Sequence, residues 1–441
     1  MADITDASEQ TTHPTIWEVN ERLQFDEPLD PDDDRWVDTA AARGEFTFDL
    51  LYRKLGVDSR EWRLRGAPTK AYVLFCGHRG CGKSTELRRV HRKLNTPDIF
   101  FAVLIDATKE LDPNNLQYQD ILMALAKSLL AELEHHSITV DQVYLSSLTN
   151  WFDERILRHE STEEFAAEVK SGLEVSAGIP FLSKLFASLT AAFRVNSSYK
   201  EELRRVVRNH FSEFSDAFNL LIKAVERQCQ LAGLGQRVLF LVDGTDRLRG
   251  EDADGLFVRD VHQLQLIDAL FIYTTPIHLI HAGAGLKESF TGTFRLPMIK
   301  LYTREGRRNA VGYETMRRIL YCRAPRELFD DPSTADYLVE HSGGHPRDLL
   351  RLLQYTFEHA AGDLFDRNAA ERAVNALATD YRVFLDAQDY ALLRKIDSNP
   401  ATEHNSERVR YLLYNLALLE YNSYWWRSHP VVRTLDAYQE A

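Results

Sequence analysis

The stretch Gly77-His78-Arg79-Gly80-Cys81-Gly82-Lys83-Ser84-Thr85 limits what this chain can fold into more than any other part of it. It has the form G-x-x-x-x-G-K-[ST]. The apolar run 71–76 precedes it and reads as a buried parallel strand; residues 86–94 follow and read as a helix. Strand, glycine loop and helix form the context in which this pattern has a mechanism. The glycines let the backbone bend so that successive N–H groups point at phosphate oxygens, and the helix N-terminus adds partial positive charge. Lys83 would reach the β- and γ-phosphates, and the Ser84 hydroxyl would hold Mg²⁺.

The rest of the chain extends this unit. Residues 99–106 form a second apolar strand, and Asp112-Pro113 has the form of a helix start, with a helix expected to run to about His136. This is the beginning of a doubly wound α/β sheet. The next strand, 237–243, ends 160 residues after Lys83, far beyond the needs of one βα unit. Residues of about 138–230 therefore read as an inserted helical segment. Within it Val207, Phe211, Phe214, Phe218, Leu221 and Val225 make one apolar stripe, the mark of a single amphipathic helix. Another buried strand spans 269–275 and is ended by Pro276. Helices follow over 305–370, near 379–396 and over 406–418, and 419–427 reads as a hairpin turning at Asn422-Ser423. The expected division is an acidic tail, 1–44, a P-loop ATPase domain, 45–300, a helical lid, 301–372, and a winged-helix-like domain, 373–441.

Charge is unevenly placed. The formal net charge is −13, but residues 1–40 hold 12 Asp/Glu against 2 Arg. That composition predicts a solvated, disordered tail or a regulatory arm. The remaining body is near neutral, which gives no support for tight nucleic-acid binding. The four cysteines, Cys76, Cys81, Cys229 and Cys322, show neither zinc nor disulfide-framework spacing. A reducing, cytoplasmic setting is expected, with no secretory signal. The longest apolar stretch, 178–193, contains Pro180 and Lys184 and is too short to span a bilayer.

A second set of residues complements the glycine loop. Asp243 ends an apolar strand, where a Walker B aspartate belongs and where it would share the Mg²⁺ shell with Ser84. Asp246, three residues on, is placed to orient or deprotonate an attacking water. Thr274 and Thr275 end the strand expected beside it, where a hydroxyl would sense a γ-phosphate. Gly343-Gly-His-Pro-Arg347 opens a helix, where Pro346 and Arg347 would close on the nucleotide.

Together the glycine loop, the Asp243-Gly-Thr-Asp-Arg-Leu248 box and Gly344-His345-Pro346 resemble the STAND and KAP groups of P-loop ATPases, relatives of the AAA+ proteins. The resemblance implies ATP/ADP and Mg²⁺ as cofactors, a nucleotide-binding domain, a helical lid whose Pro346 packs near the base, and a winged helix. It also implies a regulated ATPase that controls self-assembly or a protein partner, in signalling or defence. The chain departs from the pattern where Pro276 follows Thr275 in place of an arginine, and in lacking the membrane span that KAP members insert after the loop. Arg295, Arg307 and Arg308 are the candidates for a missing arginine finger. A DNA-binding AAA+-like loader, gripping through the winged helix and the aromatics Tyr421, Tyr424, Trp425 and Trp426, is the alternative, weakly supported because that segment is poor in Lys and Arg. A scaffold that binds ATP only for structure is the third.

Overall fold

Four largely apolar runs and a short edge strand pair into one parallel sheet: β1 (Ala71–Gly77), β2 (Phe100–Asp106), β3 (Arg237–Asp243), β4 (Leu270–Pro276) and, at the edge, β5 (Gly292–Arg295). A computed structural model of the protein describes residues 14–44, 46–112, 115–159, 178–195, 197–248, 250–282, 286–399, 406–422 and 425–441. The spatial order is β2-β3-β4-β1-β5. β1 and β4 are buried along their whole length, which is why they read as unbroken apolar runs rather than alternating ones. In register Asp106 lies opposite Asp243, and Cys76 lies opposite Thr275. The strand ends that carry polar residues thus meet at one edge of the sheet, the edge where open α/β sheets bind ligands. A parallel sheet whose first strand enters a glycine loop and helix is the architecture of a P-loop NTPase.

In chain order the helices that matter below are α1 (Ile16–Arg22), α2 (Lys83–Leu94), α3 (Tyr118–His135), α4 (Gln142–Phe152), α5 (Gly178–Val195), α6 (Ser197–Asn209), α7 (Phe211–Ala232), α8 (Ala310–Tyr321), α9 (Pro332–His341), α10 (Pro346–His359), α11 (Arg367–Arg382), α12 (Ala387–Ser398) and α13 (Glu407–Tyr414). A hairpin, β6 (Leu418–Asn422) and β7 (Trp425–Ser428), follows. One sheet face packs on α3 and the inserted helices, with Phe152, Phe186, Phe214 and Phe218 fully buried. The other face packs on α2 and receives Leu419, Tyr421 and Trp425 of the hairpin.

Three expectations change. The helix expected to open at Asp112-Pro113 opens at Tyr118 instead, because Gln117 and Asp120 form the cap, Gln117 N–H donating to Asp120 Oδ2 at 3.0 Å; Pro113 lies outside the described residues. The apolar stripe is buried throughout but belongs to two helices, α6 and α7, which break at His210. The break keeps both apolar faces on one core, so periodicity alone did not reveal it.

The third change concerns the acidic segment. Residues 1–13 lie outside the described residues, as do 160–177 of the insertion and the Ser423 turn with Tyr424. From residue 14 onward, however, the expected solvated tail is packed on the body. Thr15 and Glu18 form a capping box that starts α1, and Trp17 meets Phe357 of α10 edge-on at 4.9 Å. Ile16, Val19 and Val37 are buried. The carboxylates face the arginines of α2: Asp30 pairs with Arg88 at 2.6 Å, and Asp32 pairs with Arg92. Arg89 donates to the Pro31 carbonyl and lies 3.4 Å over the Trp36 ring. Composition predicted disorder; apolar anchors and a basic helix face supply the packing that composition does not report.

Candidate functional site

The glycine loop leaves β1 at Gly77 and enters α2 at Lys83. Gly80 takes φ +85°, and a Cβ there would sit 2.8 Å from the His345 ring and 2.9 Å from Arg347 Cβ. Only glycine fits between the loop and the start of α10. Gly344 is equally constrained, since a Cβ on it would meet the Ile299 carbonyl. From beneath, the buried Arg43 guanidinium donates to Cys81 O at 2.7 Å and Thr39 Oγ1 at 2.8 Å, holding the loop in place.

Lys83 is buried with its side chain 3% exposed. Its Nζ donates to the carbonyls of Gly77 (3.0 Å) and His78 (2.9 Å) and pairs with Asp246 Oδ2 at 2.7 Å. Burial alone would lower the lysine, but the Asp246 carboxylate outweighs it and the ammonium is held above its ordinary range. Asp246 answers in kind: burial raises it, the Lys83 charge overrides that, and its carboxyl is held below the usual value. The carboxylate expected to orient water is therefore engaged with the loop lysine.

Asp243 ends β3 as expected, accepts the Gly244 N–H at 2.8 Å and is hydrogen-bonded by the Ser84 side chain. Burial first, then the neighbouring Asp246 charge, push it up to about 6. Ser84, Asp243 and Asp106 line a cavity of about 520 Å³. These oxygens fit Mg²⁺, a hard cation that usually takes one or two carboxylates and completes its shell with water and phosphate. Among the described residues no group of three or more His, Cys, Asp or Glu is arranged for a metal ion.

A second cavity, of about 140 Å³, lies between the loop and α10. Arg79, Gly80, Cys81, Gly82, Lys83, Ser84, Thr85, Asp246, Pro346 and Arg347 all line it. Burial lowers the Arg347 guanidinium below its ordinary range; Asp26, paired with it at 3.0 Å, opposes the shift, and the charges of Arg79 and Arg247 add to it. Residues 24–28 run between the two cavities and line both, and the Leu29 N–H donates to Thr85 Oγ1 at 3.2 Å.

Three expected ligand residues stand apart from these cavities. Gly77 and His78 line neither. His78 turns toward the hairpin, its Nε2 accepting the Glu420 N–H at 2.7 Å, so the ring proton sits on Nδ1. Burial, with His345 and Lys83 nearby, keeps this imidazole neutral by lowering it well below its ordinary value. Thr275 is fully buried and lines neither cavity. Its hydroxyl reaches only Tyr273 O, at 3.5 Å, while Thr274 engages Thr245 of the turn after β3. The strand is the one expected, but its end points into the core.

His345 bridges the glycine loop and the start of α10. Its Nε2–H donates to Arg79 O at 2.8 Å, and its Nδ1 accepts the Asp348 N–H, capping α10. Asp348 lies within 3.2 Å of His429 Nε2 and accepts from Tyr381 OH at 3.0 Å. Glu420 of β6 meets His281 at 2.9 Å and Arg295 at 3.2 Å, while Arg308 pairs with Asp336 at 3.1 Å. Two finger candidates are thus held inside the chain. Tyr421, Trp425 and Trp426 are buried, and Arg408 is paired with Asp386 and Asp389.

Sequence reasoning missed Asp106, Arg247, Trp36 and Arg43. Asp106 was findable, since it ends β2 as Asp243 ends β3. Trp36-Val37 were a signal too, being apolar within an acidic stretch. Arg43 had no signal, because its role depends on contacts nearly 40 residues away in the loop.

No family model matches the chain, and no curated protein matches it. Solved structures of the Thermotoga maritima RuvB Holliday junction branch migration motor, and of point variants of the same protein, align over 93% of this chain and 98% of theirs. The identity is 12% and the TM-score 0.37.

Proposed function

We propose that this chain is an ATP-binding, ATP-hydrolysing molecular switch, Mg²⁺-dependent and slow, that controls its own assembly or a protein partner. The observation that carries the reading is Lys83: a buried ammonium at the head of α2, inside a glycine loop, beside Ser84 and Asp243. Loop N–H groups and Lys83 would bind the phosphates; Pro346 and Arg347 would close the lid side. Mg²⁺, held by Ser84 and Asp243, would neutralise charge on the phosphate oxygens. A phosphate arriving at Lys83 would replace Asp246 as its partner, and Asp246 would then be free to orient a water. Slow turnover follows from that exchange and from the segment 24–28 lying across the site. The switch reading draws on the contacts His345–Arg79 and His78–Glu420, which tie the loop to the lid and to the C-terminal hairpin. We assign the domains as 45–300, 301–372 and 373–441, with 14–44 as part of the nucleotide cleft.

The test is Mg²⁺-dependent turnover of purified full chain over a dilution series, with any bound nucleotide identified after denaturation. The expected result is retained ADP and slow, Mg²⁺-dependent turnover; turnover per chain that rises with protein concentration would point to control through self-assembly. A chain that neither retains nor binds nucleotide would sink the reading. Salt-sensitive binding to duplex DNA at near-physiological salt would favour the loader instead.

A further inference from the structure

The guanidiniums around the cleft are almost all committed. Arg35 pairs with Asp33, Arg43 holds the loop, Arg323 donates to the Arg35 and Ile319 carbonyls, and Arg347 pairs with Asp26. Arg79 and Arg247 differ: among the described residues neither guanidinium has a hydrogen bond or ion pair. Arg79 lines only the cavity between loop and lid, whereas Arg247 lines both cavities. Among the described residues, apart from the segment 24–28, only Ser84 shares that position. Arg247 is also fixed by short local structure. It closes the 3₁₀ turn Thr245–Arg247, one residue after Asp246, and its backbone N–H donates to Gly244 O at 3.2 Å. The turn is anchored below by Thr245, whose hydroxyl is bonded to Thr274. A half-buried cation without a hydrogen bond or ion pair among the described residues, on a turn anchored by Thr245 and bordering both the cavity that Lys83 lines and the cavity that Asp243 lines, is placed to receive an anion.

We propose that Arg247 is the terminal-phosphoryl ligand of this site, an arginine supplied from within the chain. The assignment rests on the nucleoside-triphosphatase reading above and deepens it. A diphosphate would occupy the loop and Lys83; only a third phosphoryl would extend to the seam where Arg247 stands. In the hydrolytic step a water oxygen bonds to the γ-phosphorus, and the bond from phosphorus to the bridging oxygen breaks. The electron pair leaves on ADP, and the water's proton passes to the released phosphate or to solvent. Arg247 stabilises the negative charge that gathers on the phosphoryl oxygens along that path.

The experiment compares Arg247→Ala, Arg247→Lys and the wild-type full chain by calorimetric titration with non-hydrolysable ATP analogue and with ADP, both with Mg²⁺, alongside turnover. Arg247→Ala is expected to weaken the triphosphate at least about 10-fold while leaving ADP unchanged, and to lower turnover by about 10³-fold. Arg247→Lys should recover part of the triphosphate preference. Since the Arg247 guanidinium makes no hydrogen bond or ion pair among the described residues, Arg247→Lys, which keeps the charge beside Asp246, should melt like nucleotide-free wild type, which separates this role from a structural one. An unchanged ratio of ATP-analogue to ADP affinity in Arg247→Ala overturns the proposal and leaves the ATPase reading standing. A wild-type chain that binds neither nucleotide overturns both.

Discussion

Two sets of ion pairs border the same loop, and they are of opposite kinds. Lys83 and Asp246 face each other at 2.7 Å with side chains 3% and 10% exposed. Asp30 and Asp32, which hold the acidic segment to Arg88 and Arg92, are each 80% exposed. A buried pair is expensive to break from one side, because the remaining charge is stranded out of water. Exposed pairs are worth under about 1 kcal/mol each and are screened by salt. The inner pair is therefore expected to contribute far more to the integrity of the site than the outer pairs do to the packing of the acidic segment.

The hardest way to break this contrast is Lys83→Ala. Turnover should fall to background, and the nucleotide-free protein should lose about 3 kcal/mol of stability as Asp246 is left alone. Adding Asp246→Asn to that variant should return most of the melting temperature and none of the activity. If the single variant melts like wild type, the inner pair is as weak as the outer ones.

Asp243 gives the next largest effect, with the opposite sign. Its carboxyl is pushed up to about 6 in the folded chain, chiefly by burial, whereas an unfolded chain ionises aspartate near 4. Between those values the folded state holds the extra proton, so this group's stabilising contribution falls as pH rises from about 4 to about 6 and stays lost above that. Asp243→Asn should therefore raise nucleotide-free stability at pH 7.5 by about 2 kcal/mol while abolishing Mg²⁺-dependent turnover. Thermal melts across pH 4–8 check it; a variant less stable than wild type at pH 7.5 would contradict the stated cause. Mg²⁺ affinity should also decline below about pH 6, as Asp243 takes up its proton.

The smallest effect sharpens the comparison. Asp30→Asn with Asp32→Asn should shift the melting temperature little but speed nucleotide release, and raising the salt on wild type should mimic it. Stopped-flow release of a fluorescent ADP analogue measures this; release rates independent of both changes would show that the segment is held by Trp36, Val37 and α1 instead.

The two regions also differ in how far they were legible. The glycine loop is a contiguous pattern, so β1, α2, Lys83 and Ser84 could be placed from their own neighbours. Asp243 could be placed because a strand end carries its own signal. The acidic segment could not: its position depends on Thr85, Arg88 and Trp17's partner Phe357, none of which lies near it in sequence. Thr275 shows the same limit at smaller scale, since β4 was foreseeable but which of two adjacent hydroxyls faces the turn after β3 was not. The α6–α7 break was hidden because both helices feed one apolar face.

Trp36 closes the front of the cleft with Arg89 stacked on its ring at 3.4 Å. An indole in that position is a built-in optical probe. Any phosphate-bearing guest that shifts Arg89 or the acidic segment will alter its emission, and Trp36→Phe will identify the signal among the other tryptophans. Binding of a nucleotide beside this indole can thus be tested in unlabelled protein, in real time.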